Sequence, residues 1–260
     1  MSRSPVVLAI DQGTTGSRSL VLDASARIVG TAYREFPQYF PVPGWVEHDP
    51  EEVWESVLFT VREALADSGA APTDVAAIGI TNQRETTVVW HRDTGRAAAR
   101  AIVWQDRRTS DRCLELKRDG HEEDIRRRTG LVIDPYFSAT KLEWLLDHNE
   151  DWRERGAAGE LLFGTIDSWI AFRLTGGTAH VTDHTNASRT LLYALDAGDW
   201  DPHLCDLFGV PPAMLPAVRS SSGEAGRTDP AVFGASAPIC GVAGDQQAAL
   251  YGQGGWTKGE

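Results

Sequence analysis

Four short segments carry side chains that could do chemistry. In DQGTTGSR, residues 11–18, an acid closes an apolar run and is followed by Gly-Thr-Thr-Gly. Flexible backbone, the hydroxyls of Thr14 and Thr15 and the guanidinium of Arg18 suit a phosphoryl group, and Asp11 suits its divalent cation. Glycine, threonine and aspartate are also ordinary turn residues, so a plain hairpin turn satisfies the same string. A P-loop is excluded, because the Gly-Lys-Ser/Thr ending is absent. In TNQRETTVVW, residues 81–90, Arg84 and Glu85 stand side by side between two expected strands. A fork of donors beside an acceptor fits two hydroxyls of a polyol, and a surface ion pair is the alternative. Trp104 and Tyr136 sit at the ends of elements, where aromatic faces either pack on a short hydrocarbon or join the core. In GVAGDQQAAL, residues 241–250, a small-residue strand places Asp245 where a turn enters a helix, a position suited to a general base and equally to an N-cap.

The elements that position these segments follow from periodicity. Apolar runs at 6–10, 19–22 and 28–36 lie close enough together to form an antiparallel meander. Asp49-Pro50-Glu51-Glu52 supplies an N-cap, a proline at the first helical position and an acid placed to close a capping box. Val53, Trp54, Val57, Leu58, Val61, Ala64 and Leu65 then repeat at helical spacing up to Gly69. Strands are expected at 75–81, 86–90 and 101–104, and mostly helical structure from 109 to 149 with a break near 130–135. A strand end at 161–164 feeds a helix at 166–174, and a strand at 239–243 feeds a helix that starts near Asp245. The stretch 220–230 reads as a surface loop within one domain. Strands first, then strands alternating with helices, predict an α/β domain with a mixed sheet flanked by helices.

Composition narrows the classes. With 42% hydrophobic and 24% charged residues, the 260-residue chain is neither low-complexity nor disordered. Lys plus Arg total 25 against 37 Asp plus Glu, and the net charge of -12 repels polyanions at long range. Nucleic acid and anionic membrane are disfavoured as partners, whereas a nucleotide held by local backbone N–H groups is not. Cys113, Cys205 and Cys240 lie far apart in no pairing pattern, which suits a reducing cytoplasm. The five apolar residues before Asp11 are too few for a signal-peptide core, and no membrane span is expected. Zinc-protease, Cys-x-x-Cys, nucleophile-elbow and dinucleotide-glycine patterns are absent. Asn186-Ala187-Ser188 fits a glycosylation acceptor and, without an export signal, is read as chance.

The strings DQGTTGSR, GWVEHDP, GITNQRETTVVW, AIVWQDRRT, TGLVIDPYFSATKLEWLLD, FGTIDSWI, VTDHTNASRT and GVAGDQQAAL follow in this order. That order and spacing resembles the FGGY carbohydrate kinase family, and within it the members that phosphorylate glycerol. The resemblance covers nearly the whole chain and includes the family's helical signature at 136–148, with Lys141 and Trp144 in place. It implies a ribonuclease H-like domain of the actin and hexokinase type and ATP-dependent phosphorylation of glycerol to glycerol 3-phosphate. Glycerol and ATP are then the partners, with Mg2+ as a cofactor beside ATP. By the same resemblance Asp11 helps hold Mg2+ through water, and Thr14, Thr15 and Arg18 meet the ATP phosphates. Arg84, Glu85, Trp104, Tyr136 and Asp245 form the glycerol site, with Gln246 beside it and Asp245 as the base. A kinase for another small polyol or ketose, and a non-catalytic polyol-binding module, are the competing readings.

Family members run to roughly twice this length. The resemblance therefore implies an FGGY N-terminal domain over 1–253, the start of a C-terminal nucleotide-binding domain at 254–260, a homo-oligomer for the full-length enzyme, and no activity from these 260 residues alone. Residues 227–238 depart from the pattern. They lack the Gly-Gly-Thr-Arg run with which some bacterial members bind a sugar bisphosphate, and they hold no histidine that could be phosphorylated.

Overall fold

The computed structural model describes residues 4–259. Its centre is a six-stranded sheet made by β1 (Val6–Gln12), β2 (Gly16–Leu22), β3 (Ile28–Glu35), β4 (Val75–Asn82), β5 (Ser222–Arg227) and β6 (Pro238–Gly244). The strands lie in the order β5-β6-β4-β1-β2-β3. The first three form the antiparallel meander that their spacing predicts. β4 pairs parallel to β1, and β6 parallel to β4, which makes the sheet mixed. β5 closes the edge antiparallel to β6 and overturns the reading of 220–230 as a loop. Its sequence, Ser-Gly-Glu-Ala-Gly-Arg, has no apolar alternation, because as an edge strand it leaves most of its residues exposed.

Helix α1 (Pro50–Ser68) begins as predicted: the Asp49 carboxylate accepts from the Glu51 N–H at 2.9 Å, and Pro50 opens the first turn. Glu52 does not close a capping box, since it accepts a hydrogen bond from the Tyr39 hydroxyl at 2.8 Å instead. Trp54, Val57, Val61, Ala64 and Leu65 bury the helix against Leu8, Ile10, Val21, Ile78 and Ile80 of the sheet. Two buried hydroxyl pairs, Ser17–Ser56 at 2.7 Å and Ser19–Thr60 at 2.9 Å, fix the helix on β2. At Gly30 a Cβ would overlap the Ala64 carbonyl, so glycine permits the close approach of α1 to β3.

A second core lies beyond the sheet. The ladder between Val88–His91 and Leu161–Gly164 separates the two cores. Val88, Trp90 and Leu162 face the first core, while Val89, Leu161 and Phe163 face the second, as strand alternation requires. The expected strand at 101–104 pairs only over Ala101–Ile102. The helical stretch from 109 to 149 resolves into Ser110–Arg118, Glu122–Thr129 and α2 (Ser138–Asp147). Helix α3 (Ile166–Leu174) returns to the first core. The short helix α4 (His184–Ala187) follows, and α5 (Asp245–Gly252) ends the described elements. Helix α5 borders a groove of about 610 Å³ whose walls include Ala9, Gly79, Thr81, Cys240 and Tyr251. Among the described residues no helix is long and apolar enough to cross a membrane.

Candidate active site

Register brings the chemistry together. Gln12 of β1 is level with Asn82 of β4, and Asn82 with Gly244 of β6. The chain therefore leaves three parallel strands at one edge of the sheet, where open α/β sheets hold their ligands. The turns that emerge there are Gly13-Thr14-Thr15, Gln83-Arg84-Glu85 and the start of α5 at Asp245.

The first turn is closed by a hydrogen bond from Gly13 N–H to Gly16 O of 2.9 Å. Thr14 is held on both sides: its hydroxyl accepts from the Trp104 indole at 3.0 Å and its carbonyl from the Gln38 amide at 3.0 Å. Thr15 and Arg18 are exposed, and Arg18 lies opposite Asp11 in the β1–β2 ladder. The Asp11 carboxyl is raised above its usual range, mainly by burial; Arg18 draws it down and Asp245 pushes it up. Asp11, Arg18 and Asp245 thus share one electrostatic neighbourhood.

The second turn is buried. Arg84 is 4% exposed and Glu85 1%. Glu85 has φ +61°, the left-handed region that a side chain with a Cβ seldom occupies. Its carbonyl accepts from the Ser138 hydroxyl at 3.0 Å, which ties this strained residue to α2. Arg84 Nη1 donates to Gln247 Oε1 at 3.2 Å. Arg84 Nε lies 3.2 Å from Asp245 Oδ1, near enough for an ion pair but not aligned as a hydrogen bond. The small-residue run before Asp245 has its reason here, since a Cβ at Gly244 would overlap the Arg84 side chain.

Glu85 accepts from Arg189 Nε at 2.8 Å. Burial raises its carboxyl above the ordinary range, and Arg189, Arg84 and Lys141 oppose that rise. Trp104 and Tyr136 meet edge to face with ring centres 5.5 Å apart. The fully buried Lys141 donates to the Tyr136 and Phe137 carbonyls at 2.5 and 3.1 Å, and burial pulls its pKa down to about 7. Asp245 is exposed, and its Oδ1 also accepts from the Gln246 N–H at 2.8 Å.

The structure thus assembles Arg84, Glu85, Trp104, Tyr136 and Asp245, with Thr14 joined to them through Trp104. Gln246 is exposed, and the glutamine that contacts Arg84 is Gln247. Sequence reasoning from residue types alone also missed Asp183, Thr185, Asn186 and Arg189, for which the only signal was the string VTDHTNASRT. Asn186 is fully buried and pairs with Asn82 and Asp183, so the glycosylation pattern there is closed to any modifying enzyme. Among the described residues no three His, Cys, Asp or Glu side chains converge on a direct metal cage. Asp11 and Asp245 offer oxygens of the kind Mg2+ takes while it keeps several waters. Such a donor set fits a cation held largely through water and phosphate.

A profile of the FGGY family of carbohydrate kinases, N-terminal domain, matches residues 6–252. A glycerol kinase of Bradyrhizobium sp. (strain ORS 278) is 58% identical over 253 residues, 97% of this chain and 51% of the relative. A glycerol kinase of Brucella ovis is 59% identical over 249 residues, 96% of this chain and 50% of the relative. The chain therefore spans about half the length of the curated relatives it matches. A crystal structure of Plasmodium falciparum glycerol kinase with ADP superposes with a TM-score of 0.91 at 34% identity, covering 96% of this chain and 50% of that one. A ligand-bound xylulose kinase of Lactobacillus acidophilus shares the fold, with a TM-score of 0.83 at 22% identity over 95% of this chain and 50% of that one. With 247 consecutive residues matched by the family profile, from 6 to 252, and relatives well above half identical, the chain belongs to the FGGY family of carbohydrate kinases.

Proposed function

We propose that this chain is the polyol-binding and phosphate-facing part of an ATP-dependent glycerol kinase, which converts glycerol to glycerol 3-phosphate in the cytoplasm. The observation that carries this reading is the convergence of Arg84, Glu85, Asp245, Trp104 and Tyr136 beside the Gly13–Gly16 turn. A three-carbon triol offers hydroxyls and a short hydrocarbon edge. Arg84, Glu85 and Asp245 meet the hydroxyls, and Trp104 and Tyr136 pack on the carbons. Apolar analogues are rejected because they leave buried polar groups unpaired.

In the proposed reaction the terminal hydroxyl oxygen of glycerol bonds to the γ-phosphorus of ATP, its proton passes to Asp245, and ADP leaves. Asp245 has one oxygen engaged by Arg84 and Gln246, while no described donor meets Oδ2, so that oxygen is free to take the proton. Thr14, Thr15 and Arg18 face the phosphates, and Asp11 would help hold Mg2+ through water. When bound, the ion offsets the charge of the phosphate oxygens. Domain bounds of 1–253, with 254–260 leading into a nucleotide-binding domain, and a homo-oligomeric full-length enzyme belong to the same proposal.

Asp245→Asn in the full-length kinase tests it. Turnover is expected to fall by about 10² to 10⁴, with glycerol affinity largely kept. Phosphoryl transfer at nearly the wild-type rate in a single turnover would remove Asp245 from the role of base. A panel of polyols and ketoses with the same enzyme decides the substrate, and preference for a ketose would favour the xylulose kinase-like alternative.

A further inference from the structure

Residues 183–190 touch three of the segments that carry polyol-site side chains: the strand end before Asp245, the turn of Arg84 and Glu85, and the start of α2 after Tyr136. The Thr185 hydroxyl donates to Asp183 Oδ2 at 2.7 Å and accepts from the Gly244 N–H, next to Asp245, at 2.8 Å. Asn186 and Asn82 exchange hydrogen bonds of 2.9 and 3.2 Å just before Arg84. The Thr190 carbonyl accepts from the Ala139 N–H at 2.8 Å, where α2 begins after Tyr136. Asp183 anchors the segment: fully buried, it accepts from the Thr185 and Asn186 amides, the Thr185 and Ser221 hydroxyls and the Asn186 side chain. Arg189 projects from this brace onto Glu85.

Among the described residues three cations surround Glu85, and one of them hydrogen-bonds its carboxylate. Arg84 is directed at Asp245 and Gln247, and Lys141 at the Tyr136 and Phe137 carbonyls. Of these three, Arg189 donates to the Glu85 carboxylate, at 2.8 Å, with its guanidinium 4.9 Å from the Phe137 ring centre and 5.7 Å from that of Tyr136. Glu85 is 2% exposed at its side chain and held in a left-handed backbone conformation. A carboxylate so buried stays ionised only where a charge partner offsets the lost hydration.

We propose that Arg189 is a positioning and specificity residue of the polyol site, holding Glu85 as an ionised acceptor for a substrate hydroxyl and seating the Tyr136 ring beside it. This rests on the reading of the site as a polyol site. An ionised Glu85 demands a hydroxyl donor from the substrate, whereas a protonated one would itself donate and tolerate a carbonyl in the same place. Arg189 thus selects for a hydroxyl at that position. The titratable groups facing Glu85 are Arg84 on its own turn, Lys141 on α2, Tyr136 before α2 and Arg189 after α4.

The test uses the full-length protein with Arg189→Leu and Arg189→Lys. In the substrate-free protein, a 13C NMR titration of the Glu85 carboxyl, assigned with Glu85→Gln, should show its pKa higher in Arg189→Leu by about one to three units. Arg189→Lys should restore much of the difference. KM for glycerol should rise about tenfold or more in Arg189→Leu, with KM for ATP unchanged and the acid limb of kcat/KM moved to higher pH. A merely structural role would lower stability without moving the Glu85 titration or the acid limb. If Arg189→Leu does not fold, Arg189→Gln, which keeps a donor and loses the charge, reads the same shift. An unmoved Glu85 titration overturns the proposal, and so does an unchanged KM for glycerol. If Glu85 moves as expected but the wild-type enzyme does not phosphorylate glycerol, the Arg189–Glu85 coupling stands and the substrate reading falls.

Discussion

The two halves of the candidate active-site edge are built differently. In the Gly13–Gly16 turn, Thr15 and Arg18 are exposed, and the turn is held mainly through Thr14 by Trp104 and Gln38. In the Arg84–Glu85 turn both side chains are buried, the backbone is strained at Glu85, and ties run to α2, to α5 and to the brace at 183–190. On the proposed function, the contrast separates how a polyol and a phosphate would be met. Neutral hydroxyls are recognised only by desolvated donors and acceptors fixed in advance, whereas charged phosphates are attracted by exposed backbone and guanidinium groups without such rigidity.

The sharpest way to break this contrast is to remove the anchor of the braced half. Asp183→Ala leaves five donors without their acceptor, of which at least two are fully buried backbone or amide groups of Asn186. Unfolding stability measured in urea should fall by at least about 3 kcal/mol, and glycerol binding should fail before ATP binding does. A loss of a few tenths would mean that the brace is dispensable.

Acid should loosen the other half. His48 is buried, and its Nε2 lies 2.6 Å from the oxygen of Gln38, whose amide nitrogen donates to the Thr14 carbonyl. That contact puts a proton on Nε2, and the Gln83 amide nitrogen, 3.5 Å from Nδ1, needs the other ring nitrogen as an acceptor, so the network takes the neutral imidazole. Burial depresses the His48 pKa to about 4, against 6.5 when unfolded, and burial in an aromatic cluster depresses His180 to about 4 as well. Between these values the unfolded chain binds more protons, so stability is full above pH 6.5 and is lost as pH falls towards 4. The Tm should drop across that window, and less steeply in His48→Gln. The smallest effect on stability is expected at Thr15→Ala: an exposed side chain on the open turn should change stability by no more than about 0.5 kcal/mol, while KM for ATP rises and KM for glycerol does not.

Much of this was legible in the residues. The meander of β1 to β3 and the start of α1 follow from apolar spacing and from Asp49-Pro50. The Gly13-Thr14-Thr15 turn of DQGTTGSR, the Arg84-Glu85 pair and Asp245 stand where they must because each follows a strand, and strand ends at one sheet edge share a destination. What periodicity could not report is pairing at a distance. Nothing local says that Ser222–Arg227 is a strand, since an exposed edge needs no apolar face. Nothing in Gln246-Gln247 says which of two adjacent glutamines the helix turns towards Arg84. The brace was invisible for the same reason: Asp183 and Arg189 look like surface charges until the partners that bury them, far away in sequence, are known.

The most direct test of the division between a preformed polyol half and an open phosphate half is Arg84→Ala in the full-length kinase, with KM determined separately for glycerol and ATP. Loss of a hydrogen bond to a charged group, about 1.5 to 3 kcal/mol, predicts a rise of roughly one to two decades in KM for glycerol and no change in KM for ATP. A rise in KM for ATP with KM for glycerol unmoved would place Arg84 on the nucleotide side and contradict the account.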